Sequence, residues 1–435
     1  HSVVRRQRQM CIRDSYKCEI IRDLVEEQKI NSVSVYQQGD FIDLCRGPHI
    51  PKLNWINAFK LTKVAGAYWR GDENNVMLTR IYGTAFATKE KLKEYLHQIE
   101  EAKKRDHRKL GTELKLFSMH EEAPASPFFH ANGAFLLKQL QNFLTSLNEE
   151  NGYGPVVTPL IMTEELWKAS GHYDNYRENM YFSEVEDRRF AVKPMNCPGH
   201  CLIYANERHS YKELPIRYYE FGRVHRRERS GVLGGLFRVQ SFVQDDAHIF
   251  CTEEQVESEI LSVLKMIDRF YSAFGYQYLV ELSTRPEKRI GDERVWDKAE
   301  SALKSALEQA GLKYHLNPGD GAFYGPKIDF HLKDSLGRTH QCGTVQLDFS
   351  MPERFDLQYV GADNKSHSPV MIHRAIAGSL ERFLGILIEH YAGKFPFWLV
   401  PQQAIVMNIT DGAKLYAENI FDLLNKNGYR VSLDA

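Results

Sequence analysis

The stretch FRVQSFVQDDAHIF (237–250) constrains the fold more than any other part of the chain. Side chains of an extended strand alternate between two faces. Arg238, Gln240, Phe242, Gln244, Asp246 and His248 therefore share one face, while Phe237, Val239, Ser241, Val243 and Ala247 share the other. One row suits a core; the opposite row assembles a cation, an aromatic ring, amides, an acid and an imidazole. The same division recurs in GTVQLDF, where Val345, Leu347 and Phe349 oppose Thr344, Gln346 and Asp348. In YGPKIDFHL, Ile328, Phe330 and Leu332 oppose Lys327, Asp329 and His331. Strands with one apolar and one polar row belong to an antiparallel sheet covered on one side. Between them lie helices: one carrying Leu136, Leu137, Leu140, Leu144 and Leu147, one opened by a Thr252/Gln255 capping box, and one over 295–310 stopped by Gly311. No βαβ repeat is read in this block. The predicted fold class is α+β, an antiparallel sheet flanked by helices over 115–400.

Elsewhere the signals are coarser. Residues 1–15 are basic, lack an initiator methionine and read as a non-native segment. Residues 16–100 alternate short apolar runs with turn signals (QQGD, CRGPH, GDENN), a mixed α+β unit. Lys103, Lys104, Arg105, Arg108 and Lys109 fall in a predicted linker helix over 101–114. After Pro401, AIVMNI, an amphipathic helix over 413–426 and YRVSL begin a parallel βαβ unit (401–435). Two strands cannot cover a parallel sheet on both faces, so this domain is expected to be truncated. Lys+Arg 56 against Asp+Glu 57 leaves a net charge of −1, so a nucleic-acid partner must be held by local basic patches. Seven cysteines without dense, even spacing favour a reducing compartment, the cytoplasm, and no apolar run is long enough for a bilayer.

Candidate chemistry clusters in three places. Arg226 and Glu228, in IRYYEFGRVHRRERSG, are read on one face of a strand leading into a Gly-rich hairpin loop; an arginine can fork onto phosphate and an acid can hold a base amine. Gly378 and Ser379 open a helix whose first turn carries Arg382, an arrangement suited to polyphosphate. Metal ligands could come from Cys197, His248 and His373, from Cys197, His200 and Cys201, or from Cys45 and His49, and spacing does not choose among them. No P-loop, HExxH or GxSxG is present.

From 16 to 435 the chain resembles the threonyl-tRNA synthetase family of class II aminoacyl-tRNA synthetases. KPMNCPGH, HRRERSG, RVQSFVQDDAHIFCTEEQ, LSTRPEKRIG, GAFYGPKIDF, QCGTVQLDF and VMIHRAIAGSLERF occur in family order. The resemblance implies a class II antiparallel sheet, with a partial editing domain before it and a truncated anticodon-binding domain after it. It implies activation of L-threonine by ATP with Mg2+, then transfer to tRNA(Thr), with Arg226, Arg238, Arg382 and Lys327 as catalytic residues. Glu228, Phe242, Gln341 and Ser379 join Arg226 and Arg382 in binding ATP, while Asp246, Gln244, Tyr324 and Gln346 bind threonine. Cys197, His248 and His373 become the ligands of one zinc ion, whose contact with the substrate hydroxyl would reject valine, whereas serine should leak through. Asp43, Cys45 and His49, with Lys17 beside them, match part of a cluster that hydrolyses seryl-tRNA; the rest is expected upstream, and editing in this chain is expected to be incomplete. Pro159 matches the class II dimer motif, implying a homodimer, and the Lys103–Lys109 cluster would lie beside the tRNA acceptor stem. Two rival readings are a prolyl or seryl synthetase and an inactive tRNA-binding paralogue.

Overall fold

The computed structural model describes residues 15–29, 32–44, 47–50, 52–228 and 230–434. These divide into two compact units, with the boundary between His97 and Gln98. In the first, helix α1 (Ser15–Gln28) precedes an antiparallel hairpin of β1 (Val35–Gln38) and β2 (Phe41–Leu44). Gly39 at φ 59° makes its tight turn, a backbone region that costs glycine little. A longer antiparallel pair follows, β3 (Ala58–Tyr68) with β4 (Met77–Phe86).

The predicted linker helix is broken. Helix α2 (Lys89–Lys104) stops short, and α3 (His107–Glu113) starts afresh because the Asp106 side chain accepts the Arg108 N–H at 2.9 Å. An aspartate that caps a new helix gives the backbone an alternative to continuing the old one. The basic cluster is also largely engaged. Lys104 pairs with Glu101, Arg108 with Asp106, and Arg105 donates to the His390 carbonyl.

The second unit is built on an eight-stranded sheet. Its strands are β5 (Gly154–Pro155), β6 (Ile216–His225), β7 (Ser241–Cys251), β8 (Gln277–Ser283), β9 (Tyr314–Asn317), β10 (Lys327–Lys333), β11 (Thr339–Asp348) and β12 (Val370–Ser379). Their spatial order is β9-β8-β10-β11-β12-β7-β6-β5. The inner pairings are antiparallel, as the alternating rows predict. Both edges are parallel instead: β5 beside β6, and β9 beside β8. Strands β8 and β9 are joined through helix α7 (Glu293–Gln309), so one βαβ crossover is present where none was expected; the connection is long enough to carry the helix a parallel return requires.

One sheet face is buried by α4 (Ala131–Glu150), α6 (Val256–Ala273), α7 and α8 (Leu380–His390). Leu136, Leu140, Leu144 and Leu147 meet Ile249, Phe330, Val345, Leu347 and Ile372 in that core. The capping box at Thr252 and Gln255 is present, with the Thr252 N–H donating to Gln255 Oε1 at 3.0 Å. Between β12 and β7 the register slips, and Asp245 fills the irregularity by accepting the Ile376 and Gly378 N–H groups at 2.8 Å each.

At the far edge, Glu220 ties the segment before Pro159 to the sheet. Its carboxylate accepts the Thr158 N–H at 2.8 Å, the Thr158 hydroxyl at 3.0 Å and the buried Lys193 ammonium at 2.7 Å. The tail of the chain forms β13 (Ala404–Met407), α9 (Lys414–Lys426) and β14 (Val431–Asp434), with the two strands parallel. Among the described residues no helix is long and apolar enough to cross a membrane.

Candidate active site

The uncovered face of the sheet opens into two adjoining cavities that share Tyr176, Arg226, Gln244, Thr344 and Gln346. The larger, about 400 Å³, is walled by cations. Arg226 and Glu228 lie beyond the end of β6 and not on it, yet both still line this cavity. The Arg226 N–H donates to the Gln240 carbonyl at 2.8 Å, extending the pairing one step, and its guanidinium sits 5.2 Å from the centre of the Phe242 ring. Arg238 is in a turn over 234–238, since β7 begins only at Ser241. Gln240, predicted on the site row, is diverted: it accepts the Tyr181 hydroxyl at 2.6 Å. Arg238, expected on the phosphates or the acyl group, and Glu228, expected on the adenine amine, pair with each other at 2.9 Å.

Arg382 is fixed at three points. Ser379 Oγ, capping α8, accepts its N–H at 3.2 Å, while its Nε and Nη1 donate to the Phe237 and Gln341 carbonyls at 2.8 and 3.1 Å. Burial, with Arg238 and Arg226 nearby, holds its pKa below the ordinary guanidinium value. A cavity that crowds positive charge in this way favours a polyanion. Lys327 pairs with Asp329 at 2.9 Å and Asp320 at 3.3 Å; burial would lower its pKa, but these acids outweigh it and raise it. Gln341 bonds Asp329 at 2.8 Å.

The smaller cavity, about 320 Å³, holds Cys197, His248 and His373, whose ligand atoms all lie within 4.8 Å of one another. Cys197 opens helix α5 (Cys197–Ala205), and His248 and His373 are direct cross-strand neighbours on β7 and β12. Their outer nitrogens are occupied: His248 Nδ1 is 2.9 Å from His200 Nδ1, and His373 Nε2 is 3.0 Å from Asp348 Oδ2. Asp348 is itself held by the Ser350 and Met351 N–H groups. Supported imidazoles that keep one nitrogen free, beside a cysteine sulfur, are the donor set a three-ligand zinc site uses. Burial drives the Cys197 thiol up and the His248 imidazole well down, so the imidazole is neutral, as a ligand must be.

The Cys197, His200 and Cys201 set does not form, since Cys201 Sγ points to Met371 Sδ at 3.8 Å and His200 serves His248. Of the Cys45 and His49 pair, Cys45 lies outside the described residues. In the first unit His49 packs its ring 3.6 Å from that of Tyr36, and Asp43 is paired with Lys17. Beside the trio, Asp246 accepts Asn196 Nδ2 at 2.9 Å with its pKa raised by burial, and the Tyr324 hydroxyl donates to Gln346 at 2.5 Å. The buried Thr344 hydroxyl has no hydrogen-bond partner among the described residues. The structure thus brings every residue that the resemblance assigns to nucleotide, threonine and zinc into these two cavities. Sequence reasoning gave no role to Tyr176, to Met195 and Asn196 although both fall in KPMNCPGH, or to His172, whose Nε2 lies 3.8 Å from Cys197 Sγ.

A mainly antiparallel sheet with helices on one face and this divided cavity on the other is the core of a class II aminoacyl-tRNA synthetase, and residues 181–391 match the family model for the tRNA synthetase class II core domain (G, H, P, S and T). Residues 33–82 match the threonyl and alanyl tRNA synthetase second additional domain. The chain belongs to the threonyl-tRNA synthetase family. It is 60% identical over 421 residues to the threonine–tRNA ligase of Clostridium novyi, covering 97% of this chain and 66% of that protein. With the Thermotoga maritima ligase it shares 59% over 413 residues, 95% of this chain and 64% of the relative. It therefore spans just under two thirds of the length of these curated relatives. A crystal structure titled as the RNA binding domain of threonyl-tRNA synthetase from Cryptosporidium parvum superposes with a TM-score of 0.74 at 48% identity, covering 76% of this chain and 83% of that one. Giardia lamblia prolyl-tRNA synthetase, at 17% identity and a TM-score of 0.61 over 78% of this chain and 65% of its own, shares the fold alone.

Proposed function

We propose that this chain acts as a threonine–tRNA ligase, activating L-threonine with ATP and passing it to tRNA(Thr). The carrying observation is that a cavity crowded with arginines adjoins, through a common wall, a buried Cys/His/His trio. In the first step a threonine carboxylate oxygen bonds to the α-phosphorus while the bond to pyrophosphate breaks, the electron pair leaving with pyrophosphate. That step needs positioning and charge stabilisation more than a protein nucleophile. Arg226 is assigned to the α-phosphate, Arg382 to the γ-phosphate, and Arg238 and Lys327 to the charge developing between them, with Mg2+ entering on ATP. Glu228, Phe242, Gln341 and Ser379 hold the rest of the nucleotide, and Glu228 would exchange its Arg238 contact for the adenine amine. In the second step a hydroxyl of the terminal ribose of the tRNA attacks the acyl carbonyl and AMP departs.

Cys197, His248 and His373 would hold a zinc ion, which when bound supplies coordination for the amino and hydroxyl groups of threonine. Asp246, Gln244, Tyr324 and Gln346 orient the same substrate from the surrounding wall. Asp43, Cys45 and His49 are assigned to one part of a hydrolytic site for seryl-tRNA, and the protein to the cytoplasm. A homodimer is assigned to the edge around Pro159, where Val157, Leu160 and Ile161 expose apolar surface beside a cavity of about 460 Å³. The test is ATP–pyrophosphate exchange with threonine, serine and valine, with zinc content measured on the same preparation. Exchange should be strong with threonine, weaker with serine and negligible with valine. No threonine-dependent exchange, or valine matching threonine, would overturn the reading.

A further inference from the structure

His107 comes from the short helix α3, far in sequence from every residue assigned to a ligand, yet it is 3% exposed and both of its ring nitrogens are used. Nε2 accepts the Leu236 N–H at 2.9 Å, and since a backbone N–H can only donate, that nitrogen carries no proton. Nδ1 therefore bears the hydrogen and donates it to Glu389 Oε1 at 2.6 Å; the His107 backbone N–H reaches the same oxygen at 3.1 Å. Asp106, His107 and Glu389 come close enough to suggest a metal, but a ring with both nitrogens engaged has no lone pair to offer one.

What the ring supports is the turn over 234–238. The His107 ring centre lies 4.3 Å from that of Phe237, the two rings tilted by 45°, and the turn approaches so closely that a Cβ on Gly235 would stand 2.1 Å from His107 Nε2. Gly235 also sits at φ 49°, so only glycine fits there without strain. The turn then delivers two groups to the larger cavity: the Phe237 carbonyl, which holds Arg382 Nε at 2.8 Å, and the side chain of Arg238.

We propose that His107 is a positioning residue for the nucleotide: by bonding Leu236 and packing on Phe237 it fixes the turn that aims Arg382 and Arg238 at the triphosphate. The inference rests on the ligase reading, in that Arg382 and Arg238 are taken as ATP ligands. It places a determinant of ATP affinity outside the catalytic sheet, on the segment that leads into it.

The test compares His107→Asn and His107→Gln by exchange kinetics in the full chain. The shorter amide can still donate to Glu389 from near the Nδ1 position but cannot reach Leu236. The longer one can place its oxygen near Nε2 and accept that N–H. His107→Asn should raise KM for ATP on the order of tenfold, the effect of losing about one buried hydrogen bond, while KM for threonine stays within about twofold. His107→Gln should recover most of the ATP loss although its melting temperature falls as much. If His107→Asn does not fold, Glu389→Gln loosens the same ring from its other nitrogen and should raise KM for ATP with the same selectivity. An unchanged KM for ATP in the asparagine variant, equal impairment in both variants, or a joint rise in both KM values would overturn the inference and reduce His107 to a packing role. A parent chain with no threonine-dependent exchange would fail earlier, taking the ligase reading down and the inference with it.

Discussion

Glu220→Gln keeps the shape of a buried side chain and removes its charge, leaving the Lys193 ammonium, 3% exposed, without a counter-ion. The cost can be worked in two ways. Burial alone would raise the Glu220 carboxyl, but the nearby His200 ring and the Lys193 ammonium bonded to it at 2.7 Å outweigh it and hold the pKa at about 2. Against an ordinary value of ~4.3, that difference is worth about 3 kcal/mol. Breaking a buried ion pair from one side typically costs about 3–5 kcal/mol, so both routes lead to a loss of about 3–4 kcal/mol. The sign of the pH dependence follows. A depressed carboxyl stabilises the fold fully above its unfolded pKa, and that stability is lost as pH falls from ~4.3 toward 2. Urea unfolding followed by circular dichroism at pH 7, 5, 4 and 3 tests this. The parent should lose stability across the acid range more steeply than the variant, and the two curves should converge. A loss under about 1 kcal/mol at pH 7, or curves that stay parallel down to pH 3, would show that Glu220 and Lys193 do not depend on each other as argued.

Cys197→Ala should abolish both zinc retention and threonine-dependent exchange, measured by metal analysis and pyrophosphate exchange on one sample. Asp348→Asn, which disturbs only the support of His373, should weaken zinc binding by about 10–100-fold in a chelator competition. Arg226→Ala and Arg382→Ala should each lower the exchange rate by about 10²–10³-fold while zinc content and the circular dichroism spectrum stay unchanged. Leu144→Ala, at a fully buried position between α4 and the sheet, should cost about 2–5 kcal/mol in urea unfolding and leave zinc content intact.

The alternation along 241–250 was enough to separate core from site, because a strand lets each residue choose its face by parity alone. It failed before Ser241, where the Gln240 N–H donates to the Ala125 carbonyl and its side-chain oxygen accepts the Tyr181 hydroxyl, partners no local pattern reveals. Cys197, His248 and His373 are separated by 51 and 125 positions in the chain, so spacing could not group them; the resemblance did, and the pairing of β7 with β12 supplies the physical reason. His107 was invisible for a different reason. Inside a run of charged residues a histidine reads as solvated, and only the break at Asp106 turns it inward. The parallel edges escaped notice because one long crossover does not make a repeat.

Because one row of each central strand feeds the core and the next feeds the cavities, the sheet reads its sequence in steps of two. Deleting a single residue before Val243 in β7 would carry Val243 toward the cavity and Gln244 toward the helices, and a deletion before His373 in β12 would turn His373 to the core face and bring Arg374 to the metal-ligand position. Stability and chemistry would then be lost in one event, with no intermediate that keeps either. Length changes should accordingly gather in connections that carry no assigned residue, such as 284–292, while the strands drift by substitution alone.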